Sequence, residues 1–188
     1  MARRCRRSTT ARQRGRATAK KKGVFMNIIA FALLGAVTGA ISAAILIALD
    51  FSFERPSLYV VPGLVFGVAI GVALWHRRWL GPERSVAYLV AASLANAAAV
   101  FAARYTWDLG GVLVITGIIA GAVGAGLLTG MIAVLLSIAR WPLPIAAGAL
   151  LGALLPLTEQ GPIAFFIFYV VWQGGFAAAV AATLPPLE

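Results

Sequence analysis

Six apolar segments follow one another from residue 27 to residue 183. Each is near the roughly 20 residues that an α-helix needs to cross a bilayer. They are read as 27–49, 58–75, 85–103, 112–138, 143–157 and 162–183. Backbone in hydrocarbon has no water to satisfy its N–H and C=O groups, so a spanning segment of this length must be a helix. The expected fold is all-α: a polytopic membrane protein with six transmembrane helices in one bundle. The fourth segment is long, so it must tilt, bend or protrude. The fifth is short and is bracketed by Pro142, Pro144 and Pro156.

Of 188 residues, 61% are hydrophobic and only 12% are charged, against roughly 25% charged in a soluble domain. That excludes a disordered chain, a soluble enzyme and a disulfide scaffold. The net charge of +10 is concentrated in the first 25 residues, which hold ten Lys and Arg and no acid. From Met26 onward six Arg meet six Asp and Glu, and there is no Lys and no Cys. No nucleic-acid partner is expected from a body that is neutral. Three readings of the tail stand. It is a polybasic anchor for an anionic leaflet, a targeting segment of transit-peptide composition, or a stretch that is not translated. The third is preferred. Lys20-Lys21-Lys22-Gly23 must be encoded by a purine-rich run just upstream of the Met26 codon, where a bacterial ribosome-binding site would lie. The expected organisation is a basic tail over 1–25, disordered or untranslated, a six-span domain over 26–184 and a short C-terminal tail over 185–188.

Loops this short are oriented by their Lys and Arg. With the N-terminus in the cytoplasm, Arg77, Arg78, Arg84 and Arg140 face in, and Arg55 and Arg104 face out. Trp75, Trp79 and Trp141 then mark the inner interface, and Tyr59, Tyr105 and Trp107 the outer one, as an aromatic belt does. The expected location is a bacterial inner membrane, with both termini cytoplasmic.

Small residues recur at every fourth position, in the manner of a glycine zipper. Span 1 carries Gly35 and Gly39, span 2 carries Gly63, Gly67 and Gly71, and span 5 carries Gly148 and Gly152. Span 4 has two such stripes, one through Gly117 and Gly121 and one through Gly126 and Gly130. Lipid gives little hydrophobic drive between helices, so close backbone approach must hold them together, and all these glycines are expected at helix contacts. Short echoes between spans 1–3 and 4–6, such as Gly35-Ala36-Val37 against Gly121-Ala122-Val123 and Pro62, Gly67 and Gly71 against Pro144, Gly148 and Gly152, fit a weak 3+3 inverted repeat. Biased composition explains the same echoes.

No ionisable residue lies near a span centre, which argues against a proton pump or proton-coupled antiporter. Two amides do lie deep: Asn96 in span 3, and Gln173 beside Trp172 in span 6. They read either as interhelical hydrogen bonds or, with Trp172, as ligand-binding groups. Asp50, Glu54, Arg104, Asp108 and Glu159 gather at the outer ends of the spans. They form either a polar rim that selects a ligand or solvated loop charge.

Catalysis is poorly supplied. The single His, His76, lies in an inner loop, no carboxylates are paired in sequence, and no Cys, His or acid cluster has metal-ligand spacing. No enzyme activity, cofactor or metal is expected. In length, span count and small-residue first span (Gly35, Gly39 and the flanking Ala32, Ala36, Ala40 and Ala44), the chain looks like the substrate-binding S components of energy-coupling-factor vitamin transporters. The likeness covers the chain in outline and includes no specific substrate motif. Two functions are carried forward. One is a small-molecule transport component that binds solute between its helices, with an ATPase module or other membrane subunits as partners in the bilayer. The other is a non-catalytic membrane subunit or assembly scaffold of a larger complex.

Overall fold

The computed structural model describes residues 3–49, 56–136 and 141–184, with side chains from Phe25 onward. Among these residues the chain is all helix and turn, with no strand. The helices are α1 (Arg3–Ala48), α2 (Pro56–His76), α3 (Pro82–Asp108), α4 (Leu113–Leu136), α5 (Pro142–Gly152) and α6 (Pro162–Thr183). A 3-10 turn, Leu155–Gln160, joins the last two. Among the described residues six stretches are long and apolar enough to span a membrane, including Phe25–Ala48 of α1 and the combined stretch Pro142–Gln160.

Proline sets the starts. Helices α2, α3, α5 and α6 each open on a Pro, whose fixed φ suits the first helical position and whose missing N–H would be unpaired there anyway. Proline also ends α5 early. The carbonyl of Gly152 would need the N–H of residue 156, and Pro156 has none. The α-helix therefore stops at Gly152, short of the expected 157, and the chain continues as the 3-10 turn. The end of α2 is a Schellman motif: Arg78 N–H donates to Trp75 O (2.8 Å) and Trp79 N–H to Leu74 O (2.9 Å). Its left-handed position is held by Arg78, at φ 60°, where glycine is the usual occupant.

Each helix packs on its neighbours in sequence, and α6 closes back onto α1, so the six form a ring. Contacts run antiparallel. Gly35 abuts Gln173 and Ala177 of α6, while Gly39 abuts Tyr169. Gly63 meets Ala92 and Asn96, Gly67 meets Leu89 and Ala92, and Gly71 meets Ser85 and Tyr88. Gly117 backs onto Gly152, and Gly121 onto Gly148. At all these positions except Gly71, a β-carbon would press to 3.0 Å or closer against the neighbouring helix. The second stripe of α4 departs from expectation: Gly126 and Gly130 meet nothing within 4 Å and face outward. Repeat-related glycines also part company, since Gly67 and Gly71 face α3 whereas Gly148 and Gly152 face α4. The inverted repeat is not confirmed.

The antiparallel order gathers charge at two ends. At one, Arg77, just past the end of α2, donates to Asn27 Oδ1 of α1, and Arg84 of α3 reaches Leu135 O of α4 (3.5 Å). At the other lie the end of α3, with Asp108, and the 3-10 turn, with Glu159.

Candidate functional site

The half of the ring nearest the arginines is solid. Phe31, Phe66, Ile70, Leu74, Tyr88, Leu128, Ile132, Phe176 and Val180 form one continuous buried cluster there. The other half holds a smaller buried cluster, Leu46, Leu58, Phe165, Phe168 and Tyr169, and is hollow beside it. A cavity of about 150 Å³ lies between α2, α3, α4, α5, the 3-10 turn and α6. A smaller pocket of about 20 Å³ continues from it toward the solid half, and the two share Asn96 and Trp172.

The cavity exists because its walls are unequal. From α3, α4 and α5 it is faced mostly by small residues, Ala99, Ala103, Gly117, Ala120, Gly121 and Gly152, with Val100, while Leu58 of α2 and Leu155 of the 3-10 turn complete the lining. The opposite wall is α6, which presents Phe165, Phe168, Tyr169 and Trp172. These residues recur at three- and four-residue intervals, so one helical face carries them all. Phe168, Trp172 and Phe176 stack down that face at centroid separations of 6.5 and 6.3 Å. Tyr169 lies 4.9 Å from Phe165 and 5.4 Å from Phe168. Trp172 was singled out in the sequence and its aromatic neighbours were not. Their i, i+3 and i+4 spacing was the available signal.

Asn96 has a structural duty as well as a place on the wall. Pro62 interrupts α2 and has no N–H for the carbonyl of Leu58. Asn96 supplies the missing donor from α3: its Nδ2 lies 3.1 Å from Leu58 O and 2.8 Å from Tyr59 O. Carbonyls only accept, so these partners fix which end of the amide is nitrogen. The amide oxygen is what Asn96 has left to offer the cavity. Thr158, also on the wall, donates its hydroxyl proton to Leu155 O at 2.7 Å.

The three residues named as a ligand-binding set divide. Asn96 and Trp172 face the cavity together, whereas Gln173 does not line it. It turns to the junction of α1 and α2, where its Nε2 makes long contacts to Ser42 Oγ (3.4 Å) and Pro62 O (3.5 Å). Both deep amides thus meet at the Pro62 break in α2, from opposite sides.

Of the expected polar rim, Arg104 pairs loosely with Asp108 at 3.8 Å, both exposed, a geometry that contributes little in water. Glu159 is exposed on the 3-10 turn. Asp50 and Glu54 lie outside the described residues, as do Arg55 and Arg140. Among the described residues no group of three His, Cys, Asp or Glu stands together as a metal site. The glycine stripe of the first span is spent inside the molecule, on α6. No protein-family model, curated protein or solved structure matches the chain.

Proposed function

We propose that this integral membrane protein is a transport component that binds a small molecule between its helices, in the cavity beside Trp172. The observation that carries this reading is the contrast in packing: the same six helices pack closely at one end and leave about 150 Å³ at the other. A concave, largely apolar cavity with a few polar groups on its wall is the usual form of a small-molecule site. The reading is non-catalytic. The wall offers amide, hydroxyl and aromatic groups, while His76 sits at the far end of α2. The arginine-bearing end is assigned to the cytoplasm and the membrane to a bacterial inner membrane, on the positive-inside rule.

One observation favours the second reading, a scaffold: the outward stripe of Gly126 and Gly130 has the form of a helix-docking face. A single experiment separates the two. The protein is released from its native membrane in mild detergent and weighed by native mass spectrometry, beside the cavity-filling variant Ala120→Phe. A small-molecule adduct on the wild type that Ala120→Phe loses is the expected result. Equal masses without adduct, with other subunits held through the Gly126 face, would replace transport by the scaffold.

A further inference from the structure

The shape and the proton inventory of the cavity narrow what it takes. We infer that its ligand is an uncharged, planar ring compound of one or two rings that carries an N–H or O–H donor. This rests on the reading that the cavity is a binding site, and it specifies the class of solute.

Planarity follows from the walls. Trp172 and Phe168 lie nearly parallel, 18° apart, on the α6 wall of the cavity. The remaining walls are mostly small, Ala99, Ala103, Ala120 and the glycines of α4 and α5, with Leu58, Val100 and Leu155 among them. A flat guest offset on these rings gains both dispersion and favourable quadrupole alignment. The size follows from the volume. An apolar cavity of about 150 Å³ holds a benzene-sized guest, and the adjoining pocket at Asn96 extends the room.

Neutrality follows from what the wall lacks. Among the described residues no carboxylate, Lys, Arg or His faces the cavity, and an ion taken there would lose its hydration with no opposite charge from them in return. The donor requirement follows from protons already spent. Asn96 has given its amide hydrogens to Leu58 O and Tyr59 O, and Thr158 has given its hydroxyl hydrogen to Leu155 O. Each can now only accept. The Tyr169 hydroxyl can do either. A guest with a donor satisfies acceptors that a purely acceptor-bearing guest would leave bare.

Two isomers isolate the donor, because they match in composition, volume and apolar character. The full chain in nanodiscs is titrated with 3-methylindole, which keeps the ring N–H, and with 1-methylindole, which has lost it. Calorimetry should give about tenfold tighter binding for 3-methylindole, the value of one net hydrogen bond. Indole-3-carboxylate, a planar anion of similar size, should bind about a hundredfold more weakly or not at all. Ala120→Phe should abolish the 3-methylindole signal, which separates the cavity from partition into lipid. Equal affinity for the two isomers, tight binding of the anion, or binding that survives Ala120→Phe would each overturn the inference. No binding of either isomer, with a different small molecule retained on the native protein, would overturn the class and leave the cavity reading standing. No binding and no retained molecule would overturn both.

Discussion

Toward the arginine end of the ring, Phe66, Ile70 and Leu74 of α2 meet Tyr88 of α3, Ile132 of α4 and Phe176 of α6, and together they fill the middle. Toward the other end α3, α4 and α5 turn Ala99, Ala103, Ala120, Gly121 and Gly152 inward, and most of the bulk comes from the aromatic side chains of α6, with Leu58, Val100 and Leu155. Both halves are apolar, so hydropathy does not distinguish them. Side-chain volume does. In a bilayer a helix gains little by exchanging lipid for protein, and what holds the bundle is close packing. A ring of helices can therefore leave one half hollow without losing its fold, provided the other half and the glycine contacts are tight.

The sharpest way to break this contrast is to disturb a glycine contact. A β-carbon on Gly39 would collide with the Tyr169 backbone, which cannot rotate away. Gly39→Leu should cost about 3 kcal/mol or prevent folding. Gly130→Leu, aimed into open space, should stay within about 0.5 kcal/mol of the wild type. Reversible unfolding in mixed micelles reads both.

Next in size is a cavity made where there is none. Ile70 is fully buried in the solid half, and Ile70→Ala should cost about 2–4 kcal/mol through lost packing. Ala120→Leu fills space in the hollow half and should be neutral or slightly stabilising. If the two substitutions cost the same, the halves do not differ in packing.

A smaller effect tests the seam between the halves. Asn96→Ala leaves the Leu58 carbonyl bare and should cost about 1–2 kcal/mol. Pro62→Ala restores a backbone N–H for that carbonyl, so Asn96→Ala should become nearly free in that background. A double-mutant cycle measures the coupling. Additive costs would mean that Asn96 does not serve the proline break.

The smallest effect lies at the end of α2. Arg78 holds a left-handed conformation that glycine adopts without strain. Arg78→Gly should raise stability by about 1 kcal/mol, seen as a higher unfolding temperature.

These residues also mark how far the sequence could be read. The six spans were legible because twenty apolar residues in hydrocarbon have one backbone solution. The early end of α5 was only partly so: Pro156 was noted, but not its lost bond to Gly152. The partner of each helix face was hidden. Amphipathic contrast normally tells a buried face from an exposed one, and here every face is apolar. Thus Gly121 and Gly126 looked alike in sequence, although one touches Gly148 and the other nothing. Asn96 and Gln173 were visible as deep amides. Their separate orientations depend on which helices flank α3 and α6, and that is a property of the ring.

The most direct test of hollow against solid uses the absence of Cys from the body. In a Cys5→Ser background, Ala120→Cys places a thiol on the cavity wall, and Ala181→Cys places one in the solid core. Both proteins, folded in nanodiscs, are exposed to methyl methanethiosulfonate, a reagent small enough to enter the cavity, and followed by intact mass. Rapid modification at position 120 with position 181 protected is the expected result. Equal protection at both positions would show that the ring is closed throughout, and the proposed site would be lost.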